Sequence, residues 1–199
     1  MPNRKTLIDD LINALTCLPG VGKKTAQRMT YHLLQRAKDD ALNLSDVLKE
    51  VVTSTVNCKL CRNLSQENIC DLCSDDGRDN SMLCIVESPA DVFNMENSTN
   101  YNGKYFVLLG KLSPLDGIGP KEIGLDILED KISSGVVSEL ILAVNYTVES
   151  DVTAHVISEI ALKNSIKVTR LAQGVPVGGE LEYLDQYTLS KAVDKRTVY

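Results

Sequence analysis

The chain has 199 residues, 43% of them apolar and 24% charged, with a formal net charge of -6 and six cysteines. That length admits one sizeable domain plus small modules around an ordinary core, and no run approaches the ~20 apolar residues of a membrane span. The negative total argues against a chain that is basic throughout, but residues 1–38 carry seven basic groups (Arg4, Lys5, Lys23, Lys24, Arg28, Arg36, Lys38) against Asp9 and Asp10, a net of +5, whereas residues 81–199 carry ten basic against sixteen acidic, a net of -6; polyanion binding is therefore assigned to the N-terminal end.

Leu7, Ile8, Leu11, Ile12 and Leu15 recur at the spacing of one helical face, and Ala26, Met29, Leu33 and Leu34 repeat it after a break at Pro19, Gly20 and Gly22. A helical hairpin is predicted. Glycines at the bend permit positive φ and let bare backbone N–H groups approach an anion, and the second helix adds its partial positive N-terminus. With Lys23, Lys24 and Arg28 beside it, the bend around Gly20 and Gly22 is a candidate grip for DNA phosphates that reads no bases. A nucleotide-binding P-loop needs Gly at position 17 and Ser or Thr at 24, and Cys17 and Lys24 stand there instead. The plain alternative is that the glycines close a helix corner and the lysines are solvated surface.

A third helix is expected from about Ser45, with Val47, Leu48, Val51 and Val52 on its buried face. It leads into Cys58-x-x-Cys61 and Cys70-x-x-Cys73, two pairs eight residues apart. A two-residue spacer lets a tight knuckle aim both sulfurs at one tetrahedral ion, so structural zinc on Cys58, Cys61, Cys70 and Cys73 is the expectation. Two adjacent redox motifs are less economical, and no surrounding strand–helix pattern supports them. The N-terminal Met-Pro-Asn-Arg-Lys-Thr carries no apolar signal core, so reduced thiols and a cytoplasmic location are expected. Cys17 and Cys84 lie in apolar runs and read as small buried hydrophobes.

Beyond residue 81, apolar runs at Met82–Val86, Tyr105–Leu109 and Leu140–Val144, and an alternating one at Ile166–Leu171, interleave with helical stretches near Pro89–Met95, Lys121–Ile132 and Val152–Leu162. Near-continuous apolar strands alternating with helices indicate a mostly parallel sheet covered on both faces, an α/β domain. The loop Leu115-Asp-Gly-Ile-Gly-Pro120 reads as a turn before a helix. Ligands of such sheets gather beyond the strand C-termini, where Glu87 and Asn145-Tyr-Thr-Val-Glu-Ser-Asp151 are expected to meet. An Asp-x-Asp there with Glu87 would hold Mg²⁺ for phosphoryl transfer, but Asn145 and Thr147 occupy those positions and bind the ion poorly. The enzymatic alternative, a Mg²⁺-dependent nuclease or topoisomerase, would rest on Glu87 with Glu149 or Asp151. A further apolar series, Leu181, Tyr183, Leu184, Tyr187 and Leu189, follows the turning segment Gly174 to Gly179; it either completes the chain's own core or is exchanged with a second copy.

Leu18 to Ala26, the four cysteines, Ile85-Val-Glu-Ser-Pro89, Ser113-Pro-Leu-Asp-Gly-Ile-Gly-Pro120, Asn145-Tyr-Thr-Val-Glu149 and Gly174-Val-Pro-Val-Gly-Gly-Glu-Leu-Glu-Tyr183 together resemble the bacterial RecR family of recombination mediators, over nearly the whole chain. The resemblance implies an α+β, multi-module fold: helix-hairpin-helix (1–56), four-cysteine zinc finger (57–76), Toprim-like α/β domain (80–173) and C-terminal oligomerisation arm (174–199). It also implies one structural zinc per subunit, a ring-shaped homotetramer that clamps DNA, and work with RecO and RecF to promote RecA loading at gaps, without catalysis and in the cytoplasm at the nucleoid. Glu87, Asn145 and Glu149 are then a partner-binding or vestigial acidic site. The chain departs from the family at Tyr146, usually Pro, and at Ser150-Asp151, usually Gly-Glu.

Overall fold

A computed structural model describes residues 6–196; Arg4 and Lys5, counted above in the N-terminal charge, lie outside them, as do the last three residues of the C-terminal arm. The chain forms two compact units, divided between Thr55 and Val56.

The first unit is helical. Helix α1 (Leu7–Leu15) starts at Thr6, whose hydroxyl accepts from the Asp9 N–H while the Asp9 carboxylate accepts from the Thr6 N–H, a reciprocal cap that satisfies two orphan donors. Helix α2 (Lys23–Arg36) follows the glycine bend and buries Ala26 and Thr30. Helix α3 (Lys38–Ser54) begins seven residues before the expected start near Ser45. Its first turn carries Asp39 and Asp40, which suit the positive helix N-terminus, and apolar spacing alone does not register that signal. The predicted inner faces are only partly covered: Met29, Leu34, Val47, Leu48, Val51 and Val52 all remain exposed. Cys17 is exposed as well, contrary to the expectation of burial, because α1 ends at Leu15 and the chain turns outward there.

In the second unit, β1 (Val56–Asn57) pairs antiparallel with β2 (Leu64–Ser65), and the short helix α4 (Asp71–Ser74) follows. Next come β3 (Asp79–Val86), α5 (Pro89–Ser98), β4 (Gly103–Val107), α6 (Leu125–Ser133), β5 (Glu139–Ala143), α7 (Val148–Lys163), β6 (Lys167–Arg170) and α8 (Gln186–Asp194). The four longer strands form a parallel sheet in the order β4-β3-β5-β6. Leu83, Ile85, Phe106, Leu140 and Leu142 face one core with Leu128 and Ile132 of α6 and Ile157 and Ala161 of α7; Cys84, Val86, Tyr105 and Val107 face the other with Val92 of α5. This alternation explains why β3 and β4 read as unbroken apolar runs: both of their faces are covered.

Helix α6 starts at Leu125, not near Lys121, because Gly124 at φ 73° holds a left-handed conformation that helix propagation cannot cross. The C-terminal apolar series does not finish the chain's own core: Leu181, Tyr183 and Tyr187 are 61%, 79% and 56% exposed. Register positions the next feature, since Val86 lies opposite Ala143 and both strands therefore end at one edge.

Candidate functional site

At the bend of the first unit, Gly20 sits at φ 75°, and Gly22 is the extended N-cap of α2, which no side chain caps. Lys23 and Lys24 occupy the first turn of α2 and Arg28 lies one turn on; all three, with both glycines, are exposed. The bend thus presents uncapped amides, a helix dipole and three cations to solvent, which is chemistry suited to a phosphate.

The four cysteines converge. The sulfurs of Cys58, Cys61, Cys70 and Cys73 all lie within 4.8 Å of one another, against the ~3.8 Å between thiolates that a tetrahedral ion with ~2.3 Å bonds imposes. Cys58, Cys61 and Cys70 are buried. The Cys70 N–H donates to Cys58 Sγ at 3.3 Å and Cys61 Sγ lies 3.5 Å from Cys70 Sγ. Hydrogen bonding from Cys61, with smaller help from Cys70, Cys58 and the charge of Lys131, lowers the Cys73 pKa to about 6, while its donation to Cys73 and its burial push the Cys61 thiol up. A set of soft, mutually adjacent sulfurs with one already favouring the thiolate suits a divalent metal of zinc type. Cys84, by contrast, is pushed up to about 12 by burial and is chemically inert.

Cations that apolar periodicity does not reveal fix the knuckles to the sheet. Lys104, in the all-buried strand β4, donates from Nζ to the carbonyl oxygens of Leu72, Cys73 and Asp75 at 3.0, 3.1 and 2.7 Å, holding the C-terminal end of α4. Its signal was a lone lysine between Gly103 and Tyr105 in an apolar strand, a placement that demands partners. Arg62 follows Cys61, takes φ 65°, and reaches the carbonyls of Leu108, Glu122 and Ile123. The Val107 N–H donates to Cys61 O at 2.8 Å, so the first knuckle covers the outer edge of β4.

Beyond the strand C-termini, Glu87 and Asn145 meet as expected. Glu87 accepts from the Asn145 N–H at 2.9 Å, from Asn145 Nδ2 at 2.7 Å and from Ser150 Oγ at 2.6 Å. Glu149 does not join that cluster: it pairs with Lys111 at 3.1 Å. A hydrogen bond from its own backbone, then those with Lys111 and Thr147, hold its carboxyl below the usual glutamate range. Asp151 pairs with Arg170 at 2.7 Å, and Arg170 also donates to Asn145 O and lies 4.0 Å over the Tyr146 ring. Thr147 caps α7 by accepting from the Ser150 N–H. Ser150, Lys111 and Arg170 are thus members of this site that the sequence alone did not single out; the departure at Ser150 was the one available hint.

These features define a class of protein, one that joins a helix-hairpin-helix unit and a four-thiol metal knuckle to a Toprim-type α/β sheet. The chain matches the families described as RecR helix-hairpin-helix over residues 8–52, Toprim domain over residues 81–172 and RecR C-terminal over residues 174–197. It is 54% identical to the recombination protein RecR of Methylococcus capsulatus over 189 residues, 95% of this chain and 96% of that protein. It is 53% identical to that of Saccharophagus degradans over 190 residues, 96% of each, and 50% identical to that of Xylella fastidiosa over 191 residues, again 96% of each. The chain belongs to the RecR family.

Proposed function

We propose that the chain is a non-enzymatic clamp on DNA in recombinational repair, binding duplex or gapped DNA without regard to sequence through Gly20, Gly22, Lys23, Lys24 and Arg28. One zinc ion on Cys58, Cys61, Cys70 and Cys73 is structural in this reading. Four modules carry the work: residues 1–56 grip DNA, 57–76 hold the metal, 80–173 present a partner surface at Glu87, Asn145 and Glu149, and 174–199 close the oligomer, a tetrameric ring. RecO and RecF are the partners, and RecA loading at gaps is the outcome, in the cytoplasm at the nucleoid. Among the described residues no helix is long and apolar enough to cross a membrane.

The observation that carries this reading is the exposed, uncapped glycine bend with its three cations on a chain of the RecR family. The state of the carboxylates supports the absence of catalysis: both Glu87 oxygens are engaged by Asn145 and Ser150, and Glu149 and Asp151 already hold Lys111 and Arg170. Hydrogen-bond donors and cations already share these carboxylates and would compete with an arriving Mg²⁺, which favours hard, unshared carboxylates. Supercoiled plasmid incubated with pure protein and Mg²⁺ tests both halves. It should be retarded in low salt, recover as salt rises, and return intact once protein is removed. Nicking abolished by Glu87→Ala would replace this reading with an enzymatic one.

A further inference from the structure

The backbone of Arg62 is left-handed, at φ 65°, in a knuckle position where glycine would rest without strain. Its guanidinium crosses from Cys61 to the far side of β4, passes 5.8 Å from the Phe106 ring centre, and donates to three carbonyl oxygens, those of Leu108 and Glu122 at 3.1 Å and that of Ile123. These carbonyls stand at the two ends of one loop, residues 108–124. Gly124 completes the fit, since a Cβ there would overlap the Arg62 guanidinium.

The loop so held is cross-braced by its own hydrogen bonds and borders the acidic site. Ser113 and Ile118 bridge it internally, and Gly119 N–H donates to Glu122. At its start, the Gly110 N–H donates to Glu87 O at 3.1 Å, Lys111 pairs with Glu149, and the Leu112 N–H donates to Thr153 Oγ1 at 3.0 Å. Thr153 in turn bonds the Glu149 carbonyl oxygen. A continuous run of contacts therefore leads from the metal-binding knuckle through one side chain to the Glu87–Glu149 surface.

We propose that Arg62 is the positioning residue through which metal occupancy of the four cysteines sets the conformation of the 108–124 loop, and with it the presentation of Lys111, Glu87 and Glu149. The inference rests on the metal and partner-surface readings above. With metal bound, the Cys58–Cys61 knuckle is fixed and Arg62 clamps both loop ends. Without metal the knuckle loosens, the fork of donors loses its aim, and three carbonyls are released together, since a planar guanidinium satisfies them only from one orientation. Contiguity alone does not prove coupling, so the test measures the coupling itself.

Amide hydrogen exchange of the intact protein, before and after removal of metal by a chelator, is compared with that of Arg62→Gly and Arg62→Met. The glycine variant relieves the left-handed backbone and removes the clamp; the methionine variant keeps a stem over Phe106 and loses the three donors, and serves if the first folds poorly. Both should retain one metal per chain in a colorimetric zinc assay, yet exchange about tenfold faster or more over residues 109–123. Metal removal should accelerate the same amides in the wild type by a similar factor and add less than about twofold in the variants. Unchanged loop exchange in both variants, or equal acceleration by chelator in wild type and variants, would overturn the proposal. A wild-type protein isolated without metal would sink the zinc reading instead, while leaving the comparison of variants with wild type interpretable as a test of the clamp.

Discussion

Arg78 and Glu96 illustrate what a charge requires to leave water in this fold. The Arg78 side chain is 9% exposed; it forks onto Glu96, donates to Gly103 O at 3.0 Å and lies 5.9 Å from the Tyr105 ring centre, while Tyr105 Oη gives Glu96 a further hydrogen bond at 2.7 Å. Burial opposes ionisation of Glu96, but the hydrogen bonds from Arg78 and Tyr105 and the Arg78 charge outweigh it and leave the Glu96 pKa below its ordinary 4.5. A carboxylate with a depressed folded pKa stabilises the protein fully above the unfolded value and loses that contribution as pH falls through the folded one. Melting temperature followed from pH 7 downward should therefore stay level until about pH 4.5 and then drop. Glu96→Gln should be less stable at neutral pH by about 2 kcal/mol, because it leaves the largely buried Arg78 with only the Asp75 carboxylate at 3.7 Å as a counter-charge, and should show a shallower acid slope than the wild type. Because acid also releases thiolate-bound metal, the difference between the two curves is the measurement, and parallel curves would show that Glu96 is not a stabilising carboxylate.

Among elements, those with a strong period were legible in the sequence and those set by a single backbone position were not. The strands β3, β4 and β5 declared themselves by runs of apolar residues, and their ends correctly brought Glu87 to Asn145. The start of α6 was hidden because a glycine at φ 73° decides it, and the start of α3 because aspartates, not hydrophobes, mark it. Spacing made the four thiols visible as one cluster, whereas Arg62 and Lys104 act across 60 and about 30 residues of sequence, beyond the reach of any local pattern. The pairing of Glu149 with Lys111 belongs to the same class of long-range contact. The knuckles themselves are short, with strands of two residues and a helix of four, so in the proposed reading ligation adds the order that Lys104 and Arg62 do not supply. Cys58→Ala is expected to yield protein without stoichiometric zinc and to forfeit much of a contribution on the order of 10 kcal/mol, appearing mostly in the insoluble fraction; soluble, metal-free wild type with an unaltered melting curve would remove the metal from the fold's energetics.

At the scale of the whole molecule, charge and apolar surface are both unevenly distributed. The basic excess sits in residues 1–38 of a chain whose total is -6, so under the proposed function one subunit would offer DNA only a modest grip. Exposed apolar side chains on α3 and in the C-terminal segment, among them Leu48, Val52, Leu181 and Tyr183, are surface that a single chain leaves uncovered and that self-association would bury. In the proposed tetrameric ring, four such grips joined together would turn weak contacts into a firm hold through effective concentration. The most direct test is a DNA titration across a salt series, with light scattering on the same samples, for wild type and for Lys23→Glu combined with Arg28→Glu. The double variant should keep the oligomeric mass of the wild type while binding DNA about a hundredfold more weakly or worse, with a flatter dependence on salt. Equal affinity and equal salt slope in an intact oligomer would mean that the glycine bend does not hold DNA.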